Sequence, residues 1–448
     1  MRVIAATAAT CAAVLLAVTG CAGTGSSNET KAMGTPAAQD KTPVTLQVWS
    51  FFTAREQKLV EKQLANFHAK YPWVTVNYVG GQADDKTITA IRGGSGPDLT
   101  LAQGSENVMA WCASGAWQDM APMIKRDKVD LEQFPAATRS YTNYQDKQCG
   151  LPLLADAYGF YYNKDLLAQA GYTKPPKTWE ELTAMAKKLT VRSPDGTIQR
   201  AGFIPLGNFY ENNAPTFGVG FGVNWYDKNR KSNLATDPAW TKLFQWQKDL
   251  VDWYGYPQLK RFASGLGKEF SADNAFYTGK VAMMMDGEWR PAFIKDEKPG
   301  LSYGTAPMPN LDPAKYGAGR LSGTVLGIPR SSKHVEAAWL LAKWLSTDPK
   351  ALTALSLGIN NVPTTKEVLA SKEIRQDPHF ATFVDIAANP NSVAVPSTLA
   401  GKAPQNKVDA FMEKWQAGNV PDLAKGLADL DRDINNQLSQ NSGAAQAP

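Results

Sequence analysis

Four cysteines and three histidines are spread over 448 residues, and no CxxC, HExxH or GxxxxGK(S/T) run occurs. The commonest sequence signatures of a zinc site, a dithiol redox centre and a P-loop are therefore missing. Charge of one sign is also scarce. The 47 basic and 42 acidic residues leave a net charge of +5 without a basic run, which argues against a surface tracking nucleic-acid phosphates. After the first twenty residues no apolar run is long enough to cross a bilayer. What is plentiful is aromatic: 13 Trp, 15 Tyr and 17 Phe. Many stand beside Gly, Asn, Asp or Pro in loop-like stretches, a distribution that suits a binding surface. The length suffices for two or three domains with real cores.

The chain opens with Arg2 and an uncharged run from Val3 to Val18, the order of a secretory signal over residues 1–20. Val18-Thr19-Gly20-Cys21 resembles a bacterial lipobox, so Cys21 is expected to be lipidated and to hold the protein at the outer face of the cell membrane. A plain secretory signal with a chance Cys is the other reading. Residues 21–41, with Gly23, Ser26, Ser27, Gly34 and Pro36, read as a flexible tether. Each buried lipid CH₂ contributes about 0.8 kcal/mol, so a multiply acylated Cys anchors without a spanning helix. Cys112 and Cys149 remain in the mature chain, and two thiols in an oxidising compartment invite a disulfide; inert buried thiols are the alternative.

Val44 to Val48 alternates as a strand, Val60, Leu64 and Phe67 recur at helical spacing until Tyr71-Pro72, and Val74 to Tyr78 returns to period two. This is a β-α-β opening. Leu99 to Leu101 is a short buried strand, with Gln103 to Asn107 as the loop at its carboxyl end, where open α/β sheets gather ligands. Thr178 and Glu181 form a capping box ahead of Leu182, Met185 and Leu189. Further helices are expected after Ser331-Ser332 and over Leu423 to Leu438.

Gly150-Leu151-Pro152, Tyr162 to Leu166, Pro175-Pro176-Lys177-Thr178-Trp179-Glu180-Glu181-Leu182, Phe276 to Met283 with Gly287 and Trp289, Ala306-Pro307-Met308-Pro309 and Ser322-Gly323-Thr324 occur in one order along the chain. Together they resemble the extracellular solute-binding proteins of sugar ABC transporters, the maltose-binding-protein-like group. The resemblance implies an α/β, two-lobe periplasmic-binding-protein-like fold (type II), each lobe a mixed sheet flanked by helices, joined by hinge crossings. These crossings are expected near Leu153 to Asp156, Gly300 to Tyr303 and Gly358 to Pro363. The N-terminal lobe is then 42–154 plus 303–358, the C-terminal lobe 155–302 plus 359–440, and 441–448 a disordered tail. It also implies a monomer that takes a carbohydrate ligand to permease subunits in the membrane, with no cofactor, no metal and no nucleic-acid partner.

A sugar offers an apolar face and a rim of hydroxyls, so its pocket needs flat rings plus fixed donors and acceptors. By position in the family Trp289 is the stacking aromatic, and Trp49 with Ser50 ends the first strand facing the cleft; core packing is the competing role for both tryptophans. Gln103, Glu106 and Asn107 lie on the hydroxyl-binding loop or are simply solvated. Asp156 is an acidic sugar ligand or a hinge cap, with Tyr158 two residues on. Asn208, Phe209 and Tyr210 form a polar-aromatic loop in which either ring could stack. Gly323 and Thr324 resemble a cleft wall close to the sugar. Gln103 stands where maltose-binding members carry an aromatic, and the late aromatic pair is replaced near Pro396-Ser397, so maltodextrin specificity is not implied.

An enzyme is not expected. Gly300-Leu301-Ser302-Tyr303-Gly304 matches GxSxG, but Pro307 and Pro309 bar the helix a nucleophile elbow feeds. Asp156 with Glu106 as a glycosidase pair has no supporting spacing. His68, His334 and His379 show no metal spacing. The other solutes in view are glycerol phosphate or a polyol; phosphate would require convergent basic side chains, and only Arg290 adjoins a proposed contact.

Overall fold

The computed structural model describes residues 35–445, with side chains up to 441. The expected signal sequence, Cys21 and the tether as far as residue 34 lie outside the described residues, as do 446–448. The end of the tether is not free: Ala37 is buried and its carbonyl accepts from Trp73 Nε1 at 2.8 Å.

We number the strands of the main nine-stranded sheet in chain order: β1 Val44–Ser50, β2 Val74–Val79, β3 Leu99–Ala102, β4 Leu151–Asn163, β5 Met283–Gly287, β6 Tyr303–Ala306, β7 Arg320–Gly327, β8 Val362–Pro363 and β9 Val393–Ala394. The opening β-α-β is present. β1 pairs in parallel with β2 and β3, and the intervening helix Ala54–Lys70 turns Val60, Leu64 and Phe67 inward. At Trp179–Leu189 the Thr178 hydroxyl accepts from Glu181 N while the Glu181 carboxylate accepts from Thr178 N, the reciprocal bonds of a capping box.

β4 organises the rest. It is thirteen residues long and almost wholly buried, as a strand covered on both faces must be. Its first half pairs with β7 and β8, its second half with β5 and β6. Partners change on both sides around Asp156 to Tyr158, so one continuous strand serves two cores. The first core gathers Leu46, Val48, Leu101, Leu151, Trp339 and Leu352; the second gathers Phe160, Trp179, Trp240, Met285 and Phe411.

The two cores do not map one-to-one onto the lobes expected from the sequence: Met284, Ile294 and Tyr303 pack in the first core although β5 and β6 pair with the outer half of β4. Ala155 and Ala157 belong to the first core, because β4 stays paired with β7 as far as Ala157. Residues after 303 do not return at once: β6 runs antiparallel to the outer half of β4, and Ala306 and Met308 pack in the second core. The return is made along β7. After Pro363 the helix Pro378–Ala388 packs on the outer half of β4 and on β6, with Phe383 against Tyr161 and Thr382 hydrogen-bonded to Thr305, and Val395 lies in the second core. The helix Leu423–Ala445 runs past 441, into the segment expected to be a disordered tail.

Candidate functional site

The switch region of β4 carries a charged cluster. Asp156 and Tyr158 share a face of the strand, as residues two apart must. Asp156 accepts from Ser322 Oγ at 3.2 Å and Asn361 Nδ2 at 2.9 Å. Glu288, directly after β5, accepts from Ala157 N at 2.7 Å and also from Asn361 Nδ2. One amide therefore bridges the buried Glu288 carboxylate and the half-buried Asp156. Burial, with the Glu106 charge adding to it, pushes Asp156 up to about 7 against the pull of Ser322 and Arg320. Glu288 is held well above the carboxylate range by burial and by Asp156.

Aromatic rings flank this cluster. Trp289 is half-buried and meets Tyr158 edge to face, centroids 5.7 Å apart at 89°. Its ring lies directly against Gly287, where a Cβ would fall 2.3 Å from ring carbons, so the glycine makes room for the indole. On the other side of Tyr158 lies Arg320, its guanidinium carbon 4.2 Å from the ring centroid. Arg320 donates to Thr216 Oγ1 at 3.1 Å and Glu106 Oε1 at 3.3 Å, while its buried Nε has no hydrogen-bond partner. Glu106 on the β3 loop, Tyr158 on β4 and Trp289 after β5 are thus linked through Arg320 across both lobes.

The neighbouring loop adds Glu211, pushed up to about 7 by burial and the Asp286 charge. Phe209 and Tyr210 stack on one another at 4.2 Å. Tyr210 Oη donates to Gly267 O at 2.8 Å and accepts from Ala275 N at 3.0 Å, so this ring is anchored at its tip. Asn208 is exposed and its amide donates to Glu413.

Of the residues singled out in the sequence, Glu106, Asp156, Tyr158 and Trp289 come together. Gln103 is exposed, and its N–H and that of Gly104 donate to the half-buried Asp84 carboxylate, which fixes the loop. Asn107 Oδ1 accepts from Lys402 N at 3.3 Å. Trp49 is half-buried beside Thr100 and Val79, while Ser50 is buried and its Oγ accepts from Phe52 N. Gly323 and Thr324, expected to wall the cleft, follow Ser322 of this cluster along β7. Both are buried inside the sheet, and a Cβ at Gly323 would fall 2.2 Å from Leu154 O, so the glycine serves strand-to-strand approach. Cys112 and Cys149 are joined as a disulfide with Cα atoms 5.6 Å apart. Ser302 leads into β6, not into a helix.

Sequence reasoning missed Arg320, Glu211, Glu288 and Asn361. The available signal was charge out of place: an Arg heading the apolar strand β7, and a Glu between Gly287 and Trp289. It also missed a cavity of about 1020 Å³ lined by Met109, Trp225, Tyr226, Arg230 and Pro396, which none of the expected site residues lines. The Asp156 cluster is the better candidate, because buried ionisable groups and rings converge there. Arg290, the one cation considered for phosphate, is fully buried and spent on Asp286 at 2.6 Å, Glu269 at 3.0 Å and Tyr277 at 3.1 Å.

Comparison with known proteins gives a consistent picture. A family model described as bacterial extracellular solute-binding protein matches residues 62–382. The maltotriose-binding protein of Pyrococcus abyssi is 24% identical over 340 residues, 75% of this chain and 70% of that protein. The arabinooligosaccharide-binding protein of Bacillus subtilis is 27% identical over 364 residues, 75% of this chain and 77% of the relative. The mannitol-binding protein of Pseudomonas aeruginosa is 27% identical over 286 residues, 62% of each chain. Among solved structures, mannotriose-bound CpMnBP1 superposes with a TM-score of 0.76 at 26% identity, covering 87% of this chain and 99% of that one. The sugar-binding protein MalE from Xanthomonas citri gives a TM-score of 0.75 at 22% identity, with 90% and 100% covered. The two-lobed α/β architecture expected from the sequence is shared with them.

Proposed function

Because this chain belongs to the bacterial extracellular solute-binding proteins, we propose that it captures a mono- or oligosaccharide between its lobes and delivers it to the permease of an ABC importer. The observation that carries this reading is the Trp289–Tyr158 edge-to-face pair set against Asp156 and the Arg320–Glu106 ion pair. The half-buried Trp289 ring offers a face to sugar C–H groups. The carboxylates accept from hydroxyls, and the unpartnered Nε of Arg320 donates to one. The names of the maltotriose- and arabinooligosaccharide-binding relatives support the same solute class.

In this reading the protein is a monomer held outside the membrane by lipid at Cys21, and the lobes rotate about the middle of β4. Solute then stabilises the closed arrangement by its differential affinity for it. A polyol is the second reading, favoured by the mannitol-binding relative. Glycerol phosphate is disfavoured because Arg290 is already paired. A thermal-shift screen of the mature protein against neutral sugars, polyols and glycerol phosphate tests this: a sugar should raise the melting temperature, and a rise with glycerol phosphate alone would overturn the reading.

A further inference from the structure

The cavity of about 1020 Å³ carries charge of one sign. Among the described residues that line it, Arg230, Lys231 and Lys315 are cationic and none is Asp or Glu. None of the three makes an ion pair among the described residues, and the Arg230 guanidinium donates only to Met109 Sδ, at 3.4 Å, a weak acceptor for a charged donor. The loop that carries Arg230 is fixed from within. Asp227 N donates to Lys231 O at 2.8 Å, while the Asp227 carboxylate accepts from Asn229 N at 2.8 Å and Lys231 N at 2.9 Å. That carboxylate is spent on its own loop and does not line the cavity. Arg230 is held at a φ of 60°, a left-handed conformation that arginine rarely adopts. Tyr144 and Tyr226 also line the cavity, neither hydroxyl has a hydrogen-bond partner among the described residues, and the Arg230 charge acts on that of Tyr226.

The cavity adjoins the candidate site without sharing a residue of the Asp156 cluster. Glu106 and Thr216 are the partners of Arg320, and Met109 and Val219, each three residues further along a helical segment, line the cavity. Ser397, another lining residue, donates its hydroxyl to Glu106 O at 2.8 Å. The Arg320–Glu106 pair therefore stands between the two. Sugar hydroxyls ask for acceptors as well as donors, and cations offer donors only. A guanidinium and two ammonium groups beside two phenol hydroxyls suit an oxyanion instead.

We propose that this cavity is a second binding site, for a small, multiply charged solute bearing phosphate or carboxylate groups, held by Arg230, Lys231 and Lys315 apart from the sugar site. It does not depend on the sugar reading. The test is calorimetric titration of the mature protein, at fixed ionic strength, with inorganic pyrophosphate and with citrate; the two arms separate phosphate from carboxylate. Saturable binding of at least one anion is expected, weakened about tenfold in Arg230→Asn and in Lys315→Gln, with an unchanged melting temperature because both side chains are exposed. Asparagine suits the left-handed backbone at 230, and Lys315→Gln carries the test if the first variant unfolds. Trp289→Ala should bind the anion as the wild type does. No binding of either anion at millimolar concentration, wild-type affinity in both charge variants, or loss of anion binding in Trp289→Ala overturns the proposal.

Discussion

The side-chain amide of Asn361 donates to the Asp156 carboxylate at 2.9 Å, and the same nitrogen also reaches Glu288. Asp156 lies where β4 changes partners, Asn361 directly precedes β8 of the first lobe, and Glu288 directly follows β5 of the second. The amide is thus a brace at the point about which the lobes would turn.

Removing that brace should destabilise the protein. Asn361→Leu leaves the buried Glu288 and the half-buried Asp156 without their common donor, at a cost of about 2 kcal/mol. Thermal melting of the mature protein should show a drop of several degrees, and an unchanged midpoint would show that the bridge contributes nothing.

Acid–base behaviour follows from the same cluster. Asp156 and Glu211 titrate near 7 in the folded protein, raised from ordinary carboxylate values mainly by burial. The folded state therefore binds more protons than the unfolded state between about pH 4 and 7, and the contribution of these groups to stability falls as pH rises through that window. Melting temperature measured across it should decline for the wild type and decline less for Asp156→Asn. Equal slopes would count against the assignment.

Trp289→Ala should weaken solute binding by about 2 kcal/mol with little change in melting temperature, because the ring is half-buried at the site and outside both cores. Calorimetry with a sugar found by thermal shift gives the affinity. A large fall in stability with intact affinity would make Trp289 a packing residue.

Gly287→Ala is a milder way to the same end. Its Cβ would displace the Trp289 ring, which lies 2.3 Å from that position, while the strand β5 itself accepts alanine. Affinity should fall and the tryptophan emission should shift, with circular dichroism unchanged. Wild-type affinity in this variant would show that the ring's position is not critical.

Reduction should also be felt. The Cys112–Cys149 bond spans 37 residues and contributes about 4 kcal/mol in the chain-entropy model. Dithiothreitol, or the double Cys→Ser variant, should lower the melting temperature by several degrees; no shift would argue against that bond in the native protein.

Much of the architecture was legible because its causes are local. The alternation of Val44 to Val48, the stripe of Val60, Leu64 and Phe67, and the Thr178–Glu181 box each act within one element, and each is present in the fold. Asp156, Tyr158 and Trp289 were singled out through their place in a known order of motifs, and the fold brings them together. Gly323 shows the limit of such reading, because a glycine admitting another strand and one admitting a ligand are indistinguishable in sequence, and its close approach to Leu154 is visible only in the fold.

The sequence by itself determined the elements, their order and the family, since these depend on periodicity, caps and motif succession along the chain. Tertiary structure alone decided the chemistry of the site. Arg320 and Glu106 are separated by 214 residues and Asn361 and Asp156 by 205. Such pairs form because burying a charge requires a partner wherever packing brings one, and no local pattern records which distant residue will arrive.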